Sequence, residues 1–392
     1  MAPMADSTPA GETYRGFEQG PIRPPSEARS LLIRVTRNCP WNRCTFCPVY
    51  KGTRFSLRPV EHVKRDIDAV ARQVDALRVA SGDGGRLSPE QVADLARGVE
   101  PDAITAFNAA SHWFVIGRMR SIFLQDANSL VVRPERLIEI LTHLRNRFPE
   151  VRRITSYARS DTIARRSADD LAAIARAGLN RIHIGMESGC DDVLAMVEKG
   201  ATAEKHVTAG RKVKQAGMEL SEYIMPGLGG RRLSDRHARD TADALNRIDP
   251  DFIRIRTLAI PPTAPLWAEH RAGRFEKCPD AKVVEELLTL IECLDGIAST
   301  VLSDHILNLL QHVRGRLPRD RDRMLETLRS FLALSPPDRM VYQVGRRAGL
   351  FNCVCHMESL HRRAEAEELC RRFGVTPGNV DAVADELAAR FI

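Results

Sequence analysis

From Ser30 onward, short β-branched or apolar runs alternate with longer amphipathic segments, the pattern that repeated βα units around a parallel sheet leave in a sequence. The strand candidates are Leu31 to Thr36, Ser121 to Gln125, Arg153 to Tyr157, Arg181 to Met186, Leu220 to Met225 and Phe252 to Leu258. Between them, helical spacing covers Pro59 to about Arg78, Arg133 to Arg147, Ser167 to Ala177, about Asp191 to Val197, Ala203 to Ala216 and Ser234 to Ile248. Boundary signals agree: Ser167 stands as an N-cap ahead of Asp169 and Asp170, and Gly178 and Gly217 follow the last apolar turns. Six βα steps and an α/β fold result.

Three stretches break the rhythm. Residues 1–29 are rich in Pro, Gly, Ser and Glu without apolar periodicity, which predicts a loosely held N-terminal extension. Residues 82–117 are too long for a βα connection and predict a mainly helical insertion. After residue 275 the strand signal fades, and Lys282 to Leu310, Arg321 to Leu334 and Ala364 to Ile392 show helical spacing, so residues 276–392 read as an α-helical C-terminal region. With 392 residues at 43% hydrophobic and 28% charged, the chain is neither disordered nor a small disulfide scaffold. No window approaches an integral membrane segment, and the start lacks the layout of a secretory signal, so a cytoplasmic location is expected. The net charge of +7 comes from basic residues scattered among acidic ones and hints at an anionic ligand without specifying one.

Of nine cysteines, three sit together: Cys39, Cys44 and Cys47, in Arg34-Val-Thr-Arg-Asn-Cys-Pro-Trp-Asn-Arg-Cys-Thr-Phe-Cys-Pro48. They follow the first strand, so the thiols occupy a loop at its C-terminal end, where parallel βα architectures build their sites. A structural zinc would need a fourth ligand, for which His62, inside a helix, is the nearest candidate. A plant-ferredoxin type of cluster shares the C-x4-C-x2-C spacing but also needs a fourth cysteine, and the next one is Cys190. What remains is a cubane on three thiolates, with one iron open to a small molecule.

That arrangement, from about Ser30 to Trp267, resembles the radical S-adenosylmethionine (radical SAM) superfamily. The segments Ile154 to Arg159, Asp170 to Gly178 and Ile182 to Gly189, in that order behind the cysteines, are similar to the branch containing tRNA methylthiotransferases, oxygen-independent coproporphyrinogen enzymes and nitrogenase-cofactor assembly proteins. The commonest spacing there is x3 then x2; this chain carries one further residue between Cys39 and Cys44. The resemblance implies a partial (β/α)6 TIM-type barrel over residues 30–275. It also implies a [4Fe-4S] cluster on Cys39, Cys44 and Cys47, S-adenosyl-L-methionine as cofactor, an oxygen-sensitive protein, and an external electron donor of flavodoxin or ferredoxin type.

The strand ends predict a ring around the mouth: the cysteine loop, Gln125 and Asp126, Tyr157 and Arg159, Glu187 and Ser188, and Met225 and Pro226. By the resemblance, Glu187 contacts the cofactor through its ribose hydroxyls, and Gln125 and Asp126 stand where relatives grip its amino group. Ser156 and Arg159 are placed near its carboxylate or the substrate, and Lys199 near its carboxylate. Phe46, just before the third cysteine, fits the aromatic habit of the family, and the glycine turn Met225 to Gly230 is expected near adenine. Cys353 and Cys355 read as buried or incidental thiols, and Ser303, Asp304, His305 and Asn308 as groups on one helical face. The substrate is open: a small molecule, lipid, peptide or RNA. Two other classes fit the cysteines, an iron–sulfur electron-transfer or cluster-carrier protein and a zinc-stabilised RNA-binding protein.

Overall fold

A computed structural model describes residues 12–82 and 85–388. Residues 1–11 of the expected extension, 83 and 84 of the insertion and 389–392 of the last helix lie outside the described residues. The strands are β1 (Leu31–Arg34), β2 (Thr36–Arg37), β3 (Ser56–Leu57), β4 (Ser121–Gln125), β5 (Arg153–Ala158), β6 (Arg181–Glu187), β7 (Glu219–Ile224), β8 (Phe252–Ile255), β9 (Thr300–Leu302) and β10 (Gly315–Arg316). Eight of them form a sheet in the order β1-β4-β5-β6-β7-β8-β9-β10, and β2 and β3 pair separately as an antiparallel ribbon. All six expected strands are therefore present, in sequence order, in a largely parallel sheet. By contacts, the chain divides into two compact units.

The first unit comprises residues up to Asn42, Val49–Ile184 and Lys212–Glu219. Its helices are α1 (Val60–Ser81), α2 (Pro89–Arg97), α3 (Ile104–Val115), α4 (Pro134–Arg147), α5 (Ser160–Arg165) and α6 (Ala168–Arg176). Along α1 the buried Val63, Ile67, Val70, Val74 and Leu77 recur at helical spacing, and this stripe packs against α3 and α4. Each such side chain contributes about 1.5–3 kcal/mol when fully buried. The insertion is helical as expected, with Ser88 closing a capping box on α2. Register fixes the two faces of the sheet. Ile33, Leu124 and Ile122 share one face with Ile154, Ser156 and Ile182, while Phe123, Tyr157 and His183 share the other, with ring centroids 5.2 Å apart for Phe123 and Tyr157.

The N-terminal extension is not loosely held over its described part. Tyr14 donates to Asp66 Oδ1 at 2.8 Å, Glu18 pairs with Arg34, Arg37 and Arg58, and the Gln125 side chain bonds to the backbone of Gly20 and Ile22. The segment lacks apolar periodicity because polar and ionic contacts attach it, and periodicity reports only apolar burial.

The second unit comprises Arg43–Pro48, Gly185–Arg211 and Leu220 onward. Its helices are α7 (Asp191–Met196), α8 (Ala203–Gln215, whose last turn belongs to the first unit), α9 (Gly230–Ile248), α10 (Leu266–Arg271), α11 (Asp280–Cys293), α12 (Arg321–Leu332), α13 (Pro336–Arg347), α14 (Leu360–Arg372) and α15 (Val380–Ala388). Here α11 packs against α9 and α12, and α13 against α14 and α15. The expected helix from Lys282 to Leu310 ends at Cys293. After the loop containing Gly296, the β-branched Thr300 and Val301 enter the sheet as β9, parallel to β8. Ser303, Asp304, His305 and Asn308 consequently do not share a helical face. Asn308 instead bonds to Thr257 N, the Ile255 carbonyl and Ser303 Oγ, tying the segment after β9 to the end of β8. Among the described residues no helix is long and apolar enough to cross a membrane.

Candidate functional site

The cysteine loop begins where β2 ends. Asn38 and Asn42 both adopt positive φ, 65° and 47°, which Asn tolerates better than most residues. Asn42 turns its backbone N–H toward Cys39 Sγ at 3.4 Å, and its side chain donates to the Tyr50 carbonyl. The start of the loop is anchored by Asp126, whose Oδ2 accepts from Asn38 N at 3.0 Å and from Arg34 Nε at 2.8 Å. Arg159, at the end of β5, lies with its guanidinium 5.1 Å from the centre of the Trp41 ring, a cation–π contact onto the loop.

The other two cysteines lie in the second unit. Thr45 donates its N–H to the Val197 carbonyl and accepts from Leu266 N, so the segment carrying Cys44 and Cys47 is laid along the ends of α7 and α10 by backbone bonds. Phe46 packs against an apolar cluster that includes Val193, Val197, Met225, Leu258 and Leu266. The Lys199 ammonium stands 5.6 Å from the centre of the Phe46 ring and 3.1 Å from Glu187 Oε1. Glu187, 9% exposed, ends β6 with φ 66°. A bulky residue in that region is strained, and the surroundings hold it there. Its carbonyl accepts from Met225 N at 2.9 Å and lies 3.3 Å from His237 Nε2.

Behind Glu187 runs a buried network that sequence reading did not single out. Glu286 Oε1 accepts from Gly227 N at 2.8 Å and lies 3.0 Å from His237 Nδ1, while Oε2 accepts from Ser234 Oγ at 2.6 Å. Gly227 has φ 86° in the glycine turn after β7, so the carboxylate fixes a backbone that only glycine adopts without strain. Burial opposes protonation of His237, but Glu286 outweighs it and raises the imidazole above its ordinary value. On β7, Glu222 is 0% exposed and neither carboxyl oxygen has a hydrogen-bond partner. Burial pushes its carboxyl far above the usual range; Lys199 lowers it and Glu187 raises it further. A lone Glu in an apolar strand offers no periodic signal, and the polar residues of α9 and α11 read as solvated helix faces until folding buries them.

Of the residues expected to bind a cofactor, Phe46, Lys199 and Glu187 are brought together in one unit, and Arg159 touches the cysteine loop. The others are engaged differently. Both donors of the Gln125 amide and its oxygen are used by Gly20 and Ile22. Asp126 is fully buried on Arg34 and Asn38, with Gly20 so close that a Cβ there would collide with its carboxylate. Burial raises the Asp126 carboxyl and Arg34 opposes the rise. Side-chain alternation puts Ser156 on the face opposite Tyr157, where its hydroxyl donates to the Leu124 and Tyr157 carbonyls. Ser188 Oγ accepts from Cys190 N in the turn entering α7. Cys353 and Cys355, expected as incidental thiols, are bonded to each other.

The chain is similar to several known proteins. The curated relative "tRNA uridine(34) acetyltransferase" of Methanocaldococcus infernus is 20% identical over 120 residues, 30% of this chain and 22% of that protein. Among solved structures, coproporphyrinogen III oxidase (HemN) of Escherichia coli is similar at TM-score 0.44 and 14% identity, covering 68% of this chain and 52% of HemN. The methyltransferase TsrM of Kitasatospora setae, solved with tryptophan substrate and a SAM analog, gives TM-score 0.43 and 18% identity over 63% of this chain and 40% of TsrM. The chain thus spans about a fifth of the curated relative and about half or less of these two structures. The sequence profile described as "Radical SAM superfamily" matches residues 33–243, more than half the chain, from β1 into α9. That span contains the cysteine loop, Lys199, Glu187 and Glu222, and the chain belongs to the Radical SAM superfamily.

Proposed function

We propose that Cys39, Cys44 and Cys47 hold a [4Fe-4S] cluster and that the chain cleaves S-adenosylmethionine to act on a substrate still to be identified. The donor set suits the group: three thiols on one loop, a backbone N–H aimed at Cys39 Sγ, and no fourth cysteine before Cys190. When bound, the cluster supplies the electron that splits the sulfonium C–S bond and yields a 5′-deoxyadenosyl radical, which abstracts hydrogen from the substrate. The chain's own residues orient and shield. Glu187 accepts hydrogen bonds from a ribose diol, Lys199 neutralises Glu187 and faces the cofactor carboxylate, and Phe46 offers an apolar, aromatic wall. Arg159 holds Trp41 and with it the loop.

The observation that carries this reading is the Phe46–Lys199–Glu187 array, in which a residue of the cysteine loop, a cation and a carboxylate at a strand end are coupled. Anaerobic reconstitution with iron and sulfide, reduction with dithionite and addition of S-adenosylmethionine should yield 5′-deoxyadenosine. Cys44→Ala should abolish both the brown chromophore and the cleavage. A chain that binds iron but neither binds nor cleaves S-adenosylmethionine would instead be an electron carrier, and one that retains colourless zinc in air would be the zinc-stabilised alternative. The electron donor is proposed to be a flavodoxin or ferredoxin.

A further inference from the structure

Far along the chain from the cysteine loop, Cys353-Val-Cys355-His356 occupies a 3-10 turn, Val354–Glu358, that packs against α12 and α14. One ligand atom each from Cys353, Cys355 and His356 lies within 4.8 Å of the other two. A tetrahedral zinc with bonds of about 2.3 Å to sulfur and about 2.0 Å to nitrogen sets its donors roughly 3.3–3.8 Å apart, so only small shifts separate this cluster from a coordination shell. Three donors from four consecutive residues leave the fourth position to come from elsewhere. His312, on the segment before α12, has a buried Nδ1 with no hydrogen-bond partner. A buried ring nitrogen without a partner is costly, and a metal would satisfy it.

We propose that, once the Cys353–Cys355 bond is reduced, Cys353, Cys355 and His356 bind a single zinc-class d10 cation, and that His312, which stands outside the 4.8 Å group, moves in to supply the fourth donor. Two thiolates and two imidazoles are the donor set such ions prefer over harder divalent cations. The metal staples the turn before α14 to the segment before α12, joining parts of the second unit 41 residues apart between His312 and Cys353. Asn352 N–H and Arg362 both donate to His356 Nδ1 and Arg362 also lies against Nε2, but the Arg362 side chain is exposed and can swing outward to free Nε2. Oxidised, with the two sulfurs bonded to each other as in this structure, the site lacks its thiolates, so metal and disulfide exclude one another.

The test compares metal uptake by the full chain in its two redox states. A water-soluble phosphine opens the disulfide: the two sulfurs take two electrons and two protons to become thiols, and phosphorus becomes the phosphine oxide with oxygen from water. Zinc is then titrated anaerobically against a chromophoric chelator, so that metal held by the other cysteines appears equally in every sample. Reduced wild type should take up one zinc per chain more than the unreduced chain, and more than reduced Cys353→Ser or Cys355→Ser. His312→Gln should weaken that extra site about 10-fold or more. Cobalt in place of zinc should give the visible bands of a tetrahedral site with two sulfur donors, lost in Cys355→Ser. Equal zinc uptake by reduced and unreduced wild type overturns the site, and this comparison needs no variant to fold. Unchanged affinity in His312→Gln overturns the four-ligand assignment.

Discussion

Two regions at strand ends concentrate buried charge, and they treat it in opposite ways. At the end of β4, in the first unit, every charge has a counterpart: Asp126 on Arg34, Asp66 on Arg58 and Tyr14, Glu18 across Arg34, Arg37 and Arg58, with the N-terminal segment supplying Tyr14 and Glu18. At the end of β6, in the second unit, Glu187 is held at positive φ, Lys199 is its ion-pair partner, and Glu222 is buried with both oxygens unsatisfied. A network in which every charge is paired serves the scaffold, even where single atoms such as Asp126 Oδ1 and Arg58 Nε make no hydrogen bond. One that stores strain and an unsatisfied carboxyl is what a ligand-binding site looks like before its ligand arrives. In the first region the Gln125 side chain is engaged by Gly20 and Ile22, and Asp126 by Arg34 and Asn38.

The sharpest way to break the comparison is to attack the satisfied region. The Arg58–Asp66 pair has side chains 1% and 0% exposed and an oxygen–nitrogen distance of 2.6 Å. Asp66→Ala removes the nearer carboxylate from a buried guanidinium and leaves it only Glu18 at 3.4 Å; breaking such a buried pair typically costs about 3–5 kcal/mol. The expected outcome is a large fall in the urea or thermal midpoint. An equal loss of stability from Glu187→Ala would erase the distinction between the two regions.

Glu187→Ala should instead act on the ligand. Removing an acceptor for two hydroxyls costs about 1.5–3 kcal/mol of binding, roughly 10- to 100-fold in S-adenosylmethionine affinity. Cluster content, read from iron and sulfide analysis, should stay at the wild-type level, because Glu187 is not a metal ligand in this scheme.

Glu222 sharpens the comparison from the other side. Its carboxyl keeps its proton in the folded chain well above the pH at which the unfolded chain releases it, so stability falls as pH rises above about 4.5 toward the folded value. Glu222→Leu, similar in volume and without polar atoms, should remove that slope and raise stability at neutral pH by about 1–2 kcal/mol. Denaturation followed from pH 4 to 8 checks both the sign and the size. A destabilised variant would mean that Glu222 is satisfied after all.

How much of this was legible in the sequence depends on what held each part together. The six strands and most helices were read correctly because apolar periodicity reports burial against a core, as along α1. The Cys39, Cys44 and Cys47 loop was legible because chemistry restricts its spacing. β9 was missed because its three residues follow an amphipathic helix whose apolar pattern runs on past Cys293. The attachment of residues 12–20 and the Glu286–His237 network were invisible for a common reason. Ionic contacts between residues dozens of positions apart leave no period in a sequence, and a Glu that will pair with a buried His looks the same as one on a wet helix face.

The smallest expected effect concerns that second network. His237 touches the Glu187 carbonyl through Nε2 and faces Glu286 through Nδ1, so it serves the strained residue and the Glu286 carboxylate together only while both nitrogens carry protons. Its folded value is raised, so the contribution is fully present below about pH 6.5, the value of the unfolded chain, and is lost as pH rises through the folded value. His237→Gln keeps one donor toward Glu187 but not the charge facing Glu286. It should cost about 1 kcal/mol at pH 6 and progressively less at alkaline pH. A merely packed histidine would give the same loss at every pH. The two cases separate when wild-type and variant stabilities are compared across that window, together with S-adenosylmethionine affinity, which should weaken in the wild type, but not in the variant, as the imidazolium discharges.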